Sequence, residues 1–225
     1  MRFRLLGVGT LLICFALVSG SAWADSVAVQ NGSFDSFNPL TSCGGGCAIN
    51  SGPVPDWSAA PGTVEVGSWQ VGPGNAYFNV PLPGGGNTLA FVLDGTLEQD
   101  LGALAPDTTY TLTVDVGDRA DQFLTGDYSI SLDAGTAVMC SFGGTDASIA
   151  PGTFAQETCS FVTGSSVPAG DLTVLLSGIG GESQFTDVSV KTPEPNSMAM
   201  LCVGLIFVGV FAAYCRRKGV RSVPS

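Results

Sequence analysis

Tyr110-Thr111-Leu112-Thr113-Val114-Asp115-Val116 is the stretch that decides the fold. Tyr110, Leu112, Val114 and Val116 alternate with Thr111, Thr113 and Asp115, a period of two that places one set in a core and the other in water. Working outward, similar runs occur at Thr63 to Val66, Ala76 to Val80, Thr88 to Leu93 and Leu97 to Leu101 on one side. On the other they occur at Tyr128 to Leu132, Ala137 to Phe142, Thr158 to Val162, Leu172 to Ser177 and Phe185 to Val190. Val27 to Gln30 opens the series. Clusters of Gly, Pro, Asn and Asp separate the runs, and no stretch of ten or more residues shows a helical stripe. The expected architecture is all-β, with ten or eleven strands. A two-sheet jelly-roll β-sandwich is predicted, because an open sheet of that size would leave long edges unprotected.

The flanks are of another character. Arg2 and Arg4 precede an apolar run from Leu5 to Val18, and Ala22 and Ala24 then form a small-residue cleavage pattern. Residues 1–24 therefore read as a signal peptide, with Asp25 starting the exported chain. At the other end Met198 to Tyr214 is uncharged, and as a helix it would reach about 26 Å, close to the thickness of a hydrocarbon core. Arg216, Arg217, Lys218 and Arg221 follow. Such a basic cluster stays on the cytoplasmic side, which puts residues 25–192 outside.

Pro193-Glu194-Pro195 stands just before that helix, and residues 193–221 together resemble the PEP-CTERM sorting domain of Gram-negative bacteria. The resemblance implies a recognition motif at Pro193, Glu194 and Pro195, a transmembrane helix over 197–215, and a stop-transfer cluster at Arg216, Arg217 and Lys218. It further implies an exosortase as partner, an inner-membrane intermediate, and final placement on the cell surface or in an extracellular matrix rich in exopolysaccharide. The two prolines keep the segment extended, as a processing enzyme requires.

Residues 25–192 carry eighteen of the 19 acidic residues but only Arg119 and Lys191 of the eight basic ones, a net charge near −16. Nucleic acid and anionic lipid are poor partners for such a body. The chain has no histidine. The usual general base, the commonest zinc ligand and the Ser-His or Cys-His nucleophile pairs are thereby removed, and a catalytic role is not expected.

Four cysteines fall in the exported body, and an even count outside the cytosol reads as two disulfides. Of the three possible pairings, Cys43 with Cys47 across Gly44-Gly45-Gly46, and Cys140 with Cys159 between neighbouring strands, are preferred. Gly84-Gly85-Gly86 reads as a turn, since it lacks the lysine and following helix of a phosphate-binding loop.

The body also has a family likeness. Asn31-Gly32-Ser33-Phe34-Asp35, Val54-Pro55-Asp56-Trp57, Val64 to Gln70, Leu93-Asp94-Gly95, Tyr110 to Val114 and the closing Phe185 to Val190 resemble the choice-of-anchor C group, which is similar to galactose-binding-like jelly rolls. The resemblance implies a structural calcium ion held by Asp35 and Asp187 between the first and last strands. On the residues alone Asp35 equally caps a turn and Asp187 equally accepts backbone hydrogen bonds. It also implies sugar binding by exposed rings, for which Trp69, Tyr77 and Phe123 are the candidates. Trp57 and Tyr110 are assigned to the core, whereas Trp69 is expected in an exposed turn. The leading expectation is a non-catalytic surface module associating with exopolysaccharide. A calcium-dependent structural or adhesive matrix protein is the alternative, and a carboxylate-based glycoside hydrolase stands behind both.

Overall fold

The structure is a computed structural model and describes residues 27–192. The signal peptide with Ala22 and Ala24, the Pro193-Glu194-Pro195 motif, the expected helix and its basic cluster lie outside the described residues. Among those described, no helix is long and apolar enough to cross a membrane.

Ten strands are present among them, in the order β1 (Thr41–Gly44), β2 (Cys47–Ser51), β3 (Ser58–Ala59), β4 (Glu65–Val71), β5 (Thr88–Ala103), β6 (Thr109–Asp118), β7 (Asp127–Ala134), β8 (Ala137–Thr145), β9 (Thr153–Val162) and β10 (Asp171–Lys191). All strand pairs are antiparallel. The sequence expectation of an all-β jelly-roll sandwich is met, but four of the expected strands are halves of two long ones. Thr88 to Leu93 and Leu97 to Leu101 are both β5, while Leu172 to Ser177 and Phe185 to Val190 are both β10.

The two long strands bend together, and this divides one hydrogen-bonded network into two sheets. The early half of β5 and the late half of β10 pair through Leu93↔Glu182 to Ala90↔Phe185; the other halves pair through Gly95↔Gly178 to Ala103↔Asp171, with a register shift between Gly178 and Glu182. The first sheet runs β1-β2-β4-β5-β10-β6-β9, and the second runs β3-β5-β10-β7-β8. At the bend Asp94 takes a left-handed φ of 41° and Gly180 one of 69°, and Gly180 N–H donates to the Asp94 carboxylate.

Between the sheets lies the main core. It takes Val66, Ala90, Val92, Tyr110, Leu112, Val114, Val116, Phe185, Val188 and Val190 from the first sheet, and Leu97, Ile130, Leu132, Leu172, Val174 and Leu176 from the second. The Tyr110-to-Val116 alternation thus does what its period demands. Trp57 and Tyr110 are both core residues, as expected. Tyr110 keeps its polar end satisfied by accepting the Ala105 N–H at 2.7 Å.

Two expected strands are not formed. Residues 27–30 and 76–80 have no ladder. Over the second segment the side chain of Asn75 wins, its Oδ1 accepting both the Tyr77 and Phe78 N–H groups at 2.8 Å, which closes a turn where alternation alone predicts extension.

The opening and closing motifs meet, as the family likeness implies. Val188 N–H donates to Gly32 O at 2.9 Å, and a Cβ on residue 32 would lie 2.2 Å from Val188 O, an approach only glycine permits. Both expected disulfides are present, Cys43–Cys47 across the β1–β2 turn and Cys140–Cys159 between β8 and β9. The second joins edge strands of the two sheets and closes a loop of 19 residues, worth roughly 3 kcal/mol by chain entropy.

Candidate ligand-binding face

The outer face of the first sheet, turned away from the core, carries an unusual set of side chains. Strand register sets two rows across it. One is Gly67, Phe91, Gln184, Gly117 and Phe154; beside it Thr186, Asp115 and Gln156 follow one another on β10, β6 and β9. Trp69, Val71, Leu89 and Phe91 form a second apolar cluster there with Phe78 and Leu82, which arrive from the segment between β4 and β5. Gly117 leaves the room Phe78 needs: a Cβ at that position would sit 3.0 Å from the Phe78 ring and 2.7 Å from Phe154. Phe78 stacks on Phe154 at 4.7 Å.

Trp69 requires a correction. It was expected in an exposed turn, but it sits within β4, opposite Ile49 and Leu89, and is 3% exposed. The alternation of Gly67, Trp69 and Val71 against Val66, Ser68 and Gln70 explains this, because the strand continues through what reads as a Gly-Ser turn. Phe123, by contrast, is 56% exposed, and Tyr77 is half-buried.

The three candidate rings nevertheless come together, and what brings them together is Arg119. Its guanidinium carbon lies 4.7 Å from the Trp69 ring centroid, 5.1 Å from Tyr77 and 5.2 Å from Phe123. The guanidinium also donates to both Asp121 carboxylate oxygens, at 2.9 and 2.7 Å, and to Glu182 Oε1 at 3.2 Å. Gln184 Nε2 donates to the same Glu182 oxygen at 2.8 Å. These contacts hold the Asp121 carboxyl below its ordinary range. Burial pushes the Glu182 carboxyl up, although Arg119 and Gln184 oppose that shift. The Arg119 charge is correspondingly secured by its two acids, against the pull of burial.

On β6, opposite Thr186 of β10, Asp115 has a different character. It is 5% exposed, and its Oδ2 has no hydrogen-bond partner. Burial, followed by the negative charge of Asp187, raises its carboxyl to about 6, while the Gln156 amide works the other way. Trp69 Nε1 is likewise buried without a partner. Two unpartnered polar groups on one face are what a ligand's hydroxyl groups would satisfy.

Asp35 and Asp187 meet the same short 3-10 turn, Pro83–Gly85, and its following residue. A Cβ on Gly84 would lie 3.3 Å from Asp187 Oδ1, and one on Gly86 3.1 Å from Asp35 Oδ1, so glycines make room for both carboxylates. Among the described residues no three carboxylates or cysteines converge as a metal cluster. A calcium ion fits this donor set only by taking its other oxygens from main-chain carbonyls and water, which calcium readily does. The expected result of adding millimolar calcium is a rise of a few °C in melting temperature that Asp187→Asn abolishes; an unchanged melting curve would remove the site.

Arg119, Glu182, Gln184 and Asp115 escaped the sequence reading. Arg119 had a signal of its own, since it is the sole arginine between residues 25 and 192. The acids Glu182 and Asp115 had none, being two among eighteen in residues 25–192.

Comparison with known proteins places the chain in a family. A family model described as HpiC1-like: HpiC1 cyclase matches residues 25–191. No curated protein matches the sequence. Among solved structures, the chain is similar to a CBM4 module at 12% identity and a TM-score of 0.43, covering 73% of this chain and 99% of the other. It is similar to the CBM22-1 xylan-binding domain of Paenibacillus barcinonensis Xyn10C at 10% identity and 0.45, covering 77% and 97%. It is similar also to the K1 cleaved adhesin domain of Lys-gingipain from Porphyromonas gingivalis at 16% and 0.40, covering 63% and 93%.

Proposed function

The chain belongs to the HpiC1-like family, and from that footing we propose that it is a non-catalytic module that associates with exopolysaccharide through the outer face of its first sheet. The observation behind this reading is the gathering of Trp69, Tyr77 and Phe123 around Arg119, with Glu182 and Gln184 beside them. Aromatic surfaces next to a few fixed polar groups are what a pyranose needs, rings against its apolar face and polar atoms for its hydroxyls. The disulfides suit an oxidising, extracellular setting. Delivery there by exosortase sorting, through Pro193, Glu194 and Pro195 and an inner-membrane intermediate, is part of the same proposal, as is a structural calcium ion at Asp35 and Asp187.

The test is retention of the full chain on a panel of immobilised polysaccharides. Tyr77→Ala with Phe123→Ala is expected to weaken retention about tenfold, roughly 1.4 kcal/mol; because Tyr77 packs on Trp69, Phe123→Ala alone, at a 56% exposed ring, serves as the variant that leaves stability unchanged. No retention on any glycan, or retention indifferent to both substitutions, would count against the site.

A second reading has its own observation. The family description names a cyclase, and Asp115, with its raised carboxyl and unpartnered oxygen, can hold a proton for delivery to a bound ligand. Turnover abolished by Asp115→Asn, with binding retained, would establish it. The absence of a histidine to act as partner base favours the first reading.

A further inference from the structure

Arg119 occupies its site as a ligand would. Its side chain is 12% exposed, three rings surround it, and two carboxylates flank it, one at 10% exposure and one at 39%. An aromatic cage with acids at its edge is a recognition site for organic cations, since ring faces attract positive charge and the acids complete the neutralisation. Resting on the saccharide reading above, we propose that this cage takes the ammonium of an amine-bearing sugar, which replaces the Arg119 guanidinium between the rings.

Three features of the molecule favour the exchange. Asp121 lies toward solvent, so Arg119 can swing outward on its flexible stem and keep its bidentate partner, leaving Glu182 for the incoming ammonium. The exposed Phe123 sits on the loop after β6 and forms the accessible wall of the cage. Trp69, 3% exposed with the guanidinium over its ring, is the floor of the cage whose face a departing Arg119 would uncover. Charge agrees with the geometry: a body of net charge near −16 repels polyanions and draws cationic polymers toward every approach to this face. Neutral sugars would stack on the rings and offer Glu182 hydroxyl hydrogen bonds, but not the ion pair that an ammonium adds.

The experiment is calorimetric titration of the full chain, in non-ionic detergent, with the hexamer of glucosamine and separately with the hexamer of N-acetylglucosamine. The two probes share a ring and differ in charge. The glucosamine hexamer is expected to bind at least about tenfold more tightly, consistent with a cation–aromatic contact reinforced by an ion pair. Glu182→Gln is expected to erase that difference, and Tyr77→Ala with Phe123→Ala to weaken the amine sugar about tenfold. Arg119→Gln, which removes the internal competitor, is expected to tighten it.

Equal affinities for the two hexamers would overturn the cation exchange and leave saccharide association standing. Binding of neither would overturn both. An amine preference that survives both Glu182→Gln and the double ring substitution would reduce it to diffuse surface attraction, and so would also overturn the site.

Discussion

Gly178→Ala is expected to destabilise the fold by at least about 3 kcal/mol, although it adds one methyl group to an extended residue. Gly178 faces Gly95 where β5 and β10 bend together, and a Cβ there would lie 2.3 Å from the Val92 carbonyl oxygen and 3.2 Å from Gly181 O. Both obstacles are backbone, so relief cannot come from a rotamer change. It would have to come from opening the bend, which both sheets share. For a body of this size a loss of that order lowers the melting temperature by roughly 6–12 °C. Gly180→Ala is the control. It meets open space, but its φ of 69° disfavours a side chain, and it is expected to cost only about 1 kcal/mol. Guanidinium unfolding of the two variants would settle the comparison, and a Gly178→Ala chain within about 1 kcal/mol of the parent would refute the account of the bend.

The same bend marks the limit of what could be read in advance. Alternation over Tyr110 to Val116 reports burial on one face, and the core obeys it. It says nothing of which strand halves are continuous, because Asp94-Gly95 and Gly178 to Gly181 carry the same residues as a loop between two strands. Only pairing partners distinguish a bend from a turn. The disulfides were legible because spacing and glycine content limit what Cys43 and Cys47 can do. Trp69 was not, since Gly67-Ser68 before it resembles a turn, and burial came from Phe78 and Tyr77, neighbours contributed by the segment between β4 and β5.

The candidate site shows the same division. Tyr77 and Phe123 could be proposed singly as rings, but their convergence with Trp69 depends on Arg119, which lies 50 residues from Trp69 in the chain. Asp115 illustrates the point more sharply. In the strand pattern it is one of three polar residues destined for water, yet it is 5% exposed, on the outer face where Phe78 and Leu82 from the segment after β4 also pack. Alternation fixes the face a residue occupies; a distant segment decides whether that face is wet.

The burial of Asp115 has a measurable consequence. Its carboxyl is raised from 3.8 to about 6 in the folded chain, through burial first and the charge of Asp187 second. Between about pH 4 and pH 6 the unfolded chain therefore releases this proton while the folded chain holds it. The contribution of Asp115 to stability accordingly falls as pH rises through that window and levels off above it, by a total of about 3 kcal/mol. Asp118 and Glu182, also raised by burial, act in the same direction, and Asp121, lowered by Arg119, acts in the opposite one. The difference between the parent and Asp115→Asn isolates the single carboxyl. The variant is expected to gain relative stability as pH rises from 4 to above 6, as read by denaturant midpoints across that range, and parallel curves would refute the assignment. A divalent cation held between Asp35 and Asp187 would neutralise the nearby negative charge, so saturating calcium should shrink the same difference without removing it, since burial is its larger cause. An acid kept at this cost, on the face where its own Oδ2 and Trp69 Nε1 lack partners, is what the ligand face proposed above would account for.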